Sequence, residues 1–219
     1  MELFIVRGEN HDNPGKKKSR VWKRDEIHNM CTRGAIAENN KIEAIEYIDN
    51  WANPLGDGSR LCMIVSNMKH LRWLRVRVNI FPDEYDGGLS FLSNELKYIY
   101  WRNYPASPFP DSFQPVKLVA IKLHGSLQKE LWMAYKCLPS LKVLELLDMD
   151  NLLSAPDFSG LPCLQKFILD GCFRLEEIHP SLGYHTSLEF IQVKFCSHLQ
   201  MFPNNCLPAK TEDSYNKAL

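Results

Sequence analysis

The chain has 219 residues, 45% of them hydrophobic, with 26 basic and 26 acidic side chains. That composition allows a core of ordinary size, and zero net charge excludes a protein drawn to nucleic acid or an acidic membrane by bulk charge alone. No apolar run approaches the roughly 18 residues of a membrane helix, and Met1 to Arg7 carries an acid, Glu2, where a signal peptide is basic. Seven cysteines, an odd number with no CxxC pair, fit a reducing compartment better than a disulfide framework, so a cytoplasmic or nuclear location is expected.

In chain order, residues 1–48 are basic and turn-rich around Asn13 to Arg20, and a helix is expected from Asp25 to about Met30 or Thr32, with Asp25 as its N-cap. The run Lys16, Lys17, Lys18 reads as a solvated loop rather than a nuclear signal, because Asp12, Asp25 and Glu26 dilute it. Residues 49–67 carry a turn cluster at Pro54 to Ser59 and mark a domain boundary. Leu61, Met63, Ile64 and Val65 are expected to cap whatever follows.

From residue 68 to 207 the apolar residues recur in a fixed frame. Leu141, Leu144 and Leu146 stand at i, i+3 and i+5, with an apolar or small residue, Met149, at i+8. The same frame gives Leu71, Leu74, Val76, Asn79; Leu96, Ile99, Trp101, Tyr104; Leu118, Ile121, Leu123, Ser126; Leu164, Phe167, Leu169, Cys172; and Leu188, Ile191, Val193, Cys196. The leading leucines are 25, 22, 23, 23 and 24 residues apart, inside the interval of about 20 to 29 for a leucine-rich repeat. Apolar residues alternating with polar ones at i+3 and i+5 make a short strand with one buried face. A later set in each repeat, such as Leu152 or Leu153, Pro156 and Phe158, or Leu175, Ile178 and Leu182, carries the chain back over the outer side. The prolines there favour irregular or single-turn structure. The fold class expected is an α/β leucine-rich-repeat solenoid of about six repeats with a curved parallel sheet, each repeat walled by its neighbour. Residues 80–91 form a longer loop between repeats, and 208–219 a polar tail. Nothing after Pro203 reads as a seal for the last repeat, so fraying of Leu188, Ile191 and Val193 is expected.

Several segments carry a family resemblance. Ile5-Val6-Arg7, Asn13 to Lys16, Ser19 to Trp22, Asp25-Glu26-Ile27 and Glu43 to Glu46 are similar to the end of the winged-helix region of plant TIR-NB-LRR disease resistance proteins, where that region enters the repeats. Leu96 to Pro105 with Pro108, Phe109 and Pro110 resembles an early repeat of those receptors, and so do Leu161 to Cys172 and Leu175 to Gly183. The resemblance implies that residues 1–48 are a winged-helix remnant and that the chain is a fragment or truncated member. It also implies that ADP binding belongs to the parent family's nucleotide-binding domain, since no GxxxxGK[ST] loop occurs in this sequence.

Catalysis finds little support. The seven histidines are scattered with no HxH or HExxH spacing, there is no GxSxG elbow, and the neighbouring carboxylates Asp83, Glu84 and Asp86, or Glu176 and Glu177, read as solvated loop residues. No catalytic, cofactor-binding or metal-binding residue is assigned. The expected working surface is the concave face, where the non-core strand positions point: Trp73, Arg75, Arg77; Tyr98, Tyr100, Arg102; Lys122, His124; Glu145; Lys166, Asp170; and Phe190, Gln192, Lys194. Trp, Tyr and Arg dominate binding hot spots because they bury much area with few rotamers and still offer a donor. The plainer reading is that the tyrosines pack along the sheet and the arginines keep it soluble. The face holds six Lys or Arg against two acids, which points to an acidic protein partner. In the resembling receptors that partner is a pathogen effector or the receptor's own nucleotide-binding domain. No membrane partner is expected, and nucleic acid is the weaker reading. The alternatives are a generic adaptor such as a ubiquitin-ligase substrate receptor, and a truncated product without function.

Overall fold

In a computed structural model the residues described are 20–21, 24–33, 41–49, 58–79, 88–105, 108–133 and 135–203. The lysine run, the turn residues 54–57, most of the loop 80–91 and the polar tail lie outside them. Eight strands form a single sheet: β1 (Arg20–Val21), β2 (Ala44–Ile48), β3 (Trp73–Arg77), β4 (Tyr98–Arg102), β5 (Ala120–His124), β6 (Val143–Leu147), β7 (Lys166–Asp170) and β8 (Phe190–Lys194). They pair in sequence order and all in parallel. Parallel neighbours need long return connections, and the described ones after β6 and β7 bury Leu152, Phe158, Leu175 and Ile178. The architecture is an α/β solenoid compatible with leucine-rich repeats, and β3 to β8 fall on the six triads.

The first two strands were not expected. Ile42, Ile45 and Tyr47 stand at i, i+3 and i+5 and are all buried, so the spacing extends upstream of the expected start at residue 68. The spacing was masked because no leucine occupies it and the next triad begins 29 residues on, at Leu71. The sheet is continuous across residues 49–67, since β2 pairs with β3 over five residues. Helix α1 (Arg24–Arg33) puts Asp25 in its first turn rather than at the cap, where a carboxylate still suits the helix dipole. Helix α2 (Gly58–Ser66) lies between β2 and β3 in the chain and buries Leu61, Ile64 and Val65. Met63 is 54% exposed and does not belong to the expected cap; helical spacing turns it away from the other three.

The triad residues of β3 to β7 are essentially fully buried, and so are Tyr104, Ser126, Met149 and Cys172 at i+8. Trp101, Tyr104, Phe109 and Phe113 form a chain of ring contacts at 5.2, 5.0 and 5.5 Å that fills the space behind β4. On the outer side Leu152 is the core residue and Leu153 is exposed. Leu175, Ile178 and Leu182 are buried there, with a 3-10 turn at Pro180–Tyr184. Isolated bridges join Ser154 to Glu177 and Glu177 to Met201, one step along each coil.

A second regularity lies at i+7, the first residue after the strand. Asn103, Gly125, Asp148, Gly171 and Phe195 all have φ between 50° and 67°. The turn keeps the backbone ladder going: the amides of Asn103, Gly125, Asp148 and Gly171 donate to the carbonyls of His124, Leu147, Asp170 and Lys194 on the next coil. Left-handed backbone is cheap for glycine, tolerated by Asn and Asp, and costly for phenylalanine.

Candidate protein-binding face

Because side chains alternate along a strand, positions 1, 3 and 5 of each strand share the face opposite the core. Register sets them in three rows. The first runs Ala44, Trp73, Tyr98, Ala120, Val143, Lys166, Phe190; the second Glu46, Arg75, Tyr100, Lys122, Glu145, Ile168, Gln192; the third Ile48, Arg77, Arg102, His124, Leu147, Asp170, Lys194. All fourteen residues expected on this face stand in these rows, and β2 adds Ala44, Glu46 and Ile48.

The rows differ in chemistry. In the first, the Trp73 and Tyr98 rings stack with centroids 5.5 Å apart and planes 13° from parallel, and Lys166 lies 5.6 Å from the Phe190 ring. The second row neutralises itself. Arg75 Nη1 donates to Glu46 Oε1 at 2.8 Å, and its guanidinium lies 5.6 Å from the Tyr100 ring centroid. Glu145 sits between two lysines, with Lys122 Nζ at 3.3 Å and Lys166 Nζ at 3.1 Å. The carboxylates of Glu46 and Glu145 are only 12% and 13% exposed, so these pairs are better shielded than ordinary surface ones.

The third row is not balanced. His124 Nε2 meets Asp148 Oδ2 at 2.8 Å, but Arg77 and Arg102, which are register partners, take part in none of the ion pairs among the described residues. The two arginines stand side by side in the row, with exposed Ile48 on one side and His124 on the other. Six basic residues against two acids overstates the field: Arg75, Lys122 and Lys166 are matched within the face, and Glu46 is an acid that only the discovery of β2 reveals. Among the described residues the unmatched positive charge includes Arg77 and Arg102, at the other end of β3 and β4 from the aromatic stack.

Among the described residues no three His, Cys, Asp or Glu side chains are grouped to hold a metal ion, and no helix is long and apolar enough to cross a membrane. One buried cation, Lys136, lies away from this face; its ammonium donates to the carbonyls of Phe113 at 3.0 Å and Asp111 at 3.4 Å, and burial lowers its pKa.

No protein-family model matches the chain. Among curated proteins, the chain is 31% identical over 192 residues to the TMV resistance protein N of Nicotiana glutinosa, a match covering 87% of this chain and 16% of that one. It is 41% identical over 93 residues to the disease resistance protein RPV1 of Vitis rotundifolia, covering 42% of this chain and 7% of the relative. It is 27% identical over 197 residues to RPS4B of Arabidopsis thaliana, covering 86% and 16%. The chain thus spans less than a fifth of the length of these relatives. The Nicotiana and Arabidopsis matches run along most of this chain and the Vitis match along less than half of it; with the repeat frame and the early-repeat phrasing around Trp101, they show that the homologues of this chain are plant TIR-NB-LRR disease resistance proteins.

Proposed function

We propose that this chain is a non-enzymatic recognition module of a plant innate-immune receptor, and that it binds another protein through the open, concave face of its sheet. The Arg77 and Arg102 pair carries the reading. Two guanidinium groups in register, in none of the ion pairs among the described residues and on the same two strands as the stacked Trp73 and Tyr98, are the charge and the anchor that a protein hot spot uses. The occupant this supports is an acidic protein surface, on a pathogen effector or on the receptor's own nucleotide-binding domain, met in the cytoplasm or nucleus. On the same reading, residues 1–48 are the end of a winged-helix region, 49–67 the linker and cap, and 68–207 the repeats, with β2 already in the register of the solenoid.

The test is photo-crosslinking from position 100 in plant cells, with the adducts identified by mass spectrometry. Wild-type chain is expected to capture a protein through an acidic segment, and the Arg77→Glu, Arg102→Glu double variant is expected to lose that adduct while remaining folded. Equal capture by both proteins would remove the arginines from the interface.

A further inference from the structure

We propose that Cys196 and Cys172 form an oxidation site in which peroxide attacks Cys196 and the neighbouring thiol of Cys172 resolves the product to a disulfide joining the last two coils. Both residues occupy i+8 of their repeats, in successive coils whose strands pair in register from Lys166 with Phe190 to Asp170 with Lys194. The coils remain in step beyond the strands, because Gly171 and Phe195 are both left-handed and Gly171 N–H donates to Lys194 O at 3.1 Å. The two cysteines are therefore near-translated copies of each other. Neighbouring parallel strands are about 4.8 Å apart, within the Cα separation of about 4.4 to 6.8 Å that a disulfide spans.

The environments divide the labour. Cys172 is fully buried, whereas Cys196, in the coil of the edge strand β8, is partly exposed. The thiol of Cys172 has the carbonyls of Leu146 at 3.6 Å and Asp170 at 3.9 Å as acceptors besides the Cys196 sulfur, and the Cys196 thiol, when protonated, can donate to Lys194 O at 3.4 Å. Donation to Cys196 holds the Cys172 thiol well above its ordinary pKa and lowers that of Cys196. A reachable sulfur with thiolate character beside a protected second thiol is the arrangement of a peroxide-sensitive pair. The atoms balance in two steps. Cys196 thiolate attacks hydrogen peroxide, breaking the O–O bond and, with one proton, releasing water to leave a sulfenic acid. Cys172 sulfur then attacks that sulfur, the S–O bond breaks, and a second water leaves with the proton of Cys172. Of the other described cysteines, Cys137 and Cys163 are exposed and Cys62 is buried on α2.

The experiment exposes the full chain to hydrogen peroxide, blocks remaining thiols with an alkylating agent in denaturant, and reads intact mass and peptide map. The expected product is a Cys172 to Cys196 disulfide, a loss of about 2 Da. Cys196→Ser is expected to abolish it, and Cys172→Ser to leave a Cys196 sulfenic acid that dimedone traps. If Cys172→Ser does not fold, Cys196→Ser, altering a partly exposed side chain, decides alone. A wild-type map in which Cys172 and Cys196 are both alkylated while Cys137 and Cys163 are oxidised would overturn the proposal, as would a disulfide that pairs Cys196 with any other cysteine.

Discussion

Phe195 is the residue whose local conformation and chemistry disagree most. It repeats the left-handed turn that Asn103, Gly125, Asp148 and Gly171 make, and its ring is 71% exposed, so the conformation gains little burial in return. A left-handed non-glycine residue costs about 1–2 kcal/mol, of which glycine's extra unfolded-state entropy takes back a part. Phe195→Gly is expected to raise stability by about 1 kcal/mol in thermal or urea denaturation; a loss of stability would mean that the ring is packed where the structure shows it exposed. Gly160 is the reverse case. A Cβ there would lie 2.1 Å from the Lys136 carbonyl oxygen, and that backbone is held on both sides: Leu138 N–H donates to Gly160 O and Lys136 Nζ to Phe113 O. Gly160→Ala is expected to cost about 3 kcal/mol, and an unchanged urea midpoint would contradict it. Asp157 offers a pH test. Its carboxylate accepts from the backbone N–H of Ser159 at 2.8 Å, which, together with hydrogen bonds from the Ser159 and Ser181 hydroxyls and the nearby His179, lowers its pKa. A depressed folded pKa contributes stability above the ordinary carboxylate range and loses it as pH falls through the depressed value. The group is about one third exposed, so Asp157→Asn should cost under about 1 kcal/mol at neutral pH and leave wild type and variant equal in strong acid.

At the scale of the element, legibility followed how local the signal was. Strands β3 to β8 could be read because each carries its own alternation and the six copies are in register; Leu144 and Leu146 mean little alone. β2 went unread because Ile45 and Tyr47 satisfy the pattern with the wrong residue names, and only pairing with β3 shows them to be one more coil. The face could be listed from the sequence, since alternation determines which residues point away from the core. Its electrostatics could not, because Glu145 reaching both Lys122 and Lys166 depends on coils 23 residues apart lying side by side. Met63 was misjudged for a different reason, a helix read as an apolar run. The expected fraying of the last strand becomes more specific with the register known. β8 pairs fully with β7, and Ile191 is 6% exposed, but Leu188 and Val193 are only partly buried. Hydrogen exchange on the full chain is therefore expected to show β8 amides exchanging at least about tenfold faster than those of β6, which has neighbours on both sides. Equal protection would mean that something covers the outer edge of β8.

For the whole molecule, the net charge of zero conceals a division of labour across one face. Among the described residues most of its charges are spent on one another; of those in no ion pair, Arg77 and Arg102 are register partners, and so are the opposite charges Asp170 and Lys194. Like charges directly opposed on neighbouring strands destabilise by a few tenths of a kcal/mol up to about 1 kcal/mol, a cost that the folded chain bears unless a ligand removes it. Converting one of the pair separates stability from binding. Arg102→Glu places a carboxylate in register with Arg77, with Arg75 and Lys122 flanking it one row away, and should stabilise the isolated chain by about 0.5 kcal/mol. The same change puts a negative charge where an acidic surface must dock, so affinity for the crosslinked partner should fall at least about tenfold, and raising salt should weaken wild-type binding more than that of the variant. Denaturation of the free chain and titration of the complex at two salt concentrations measure the two effects separately. If Arg102→Glu lowered stability and affinity together, the doublet would be a structural feature of the sheet; opposite signs are what a surface held ready for a partner produces.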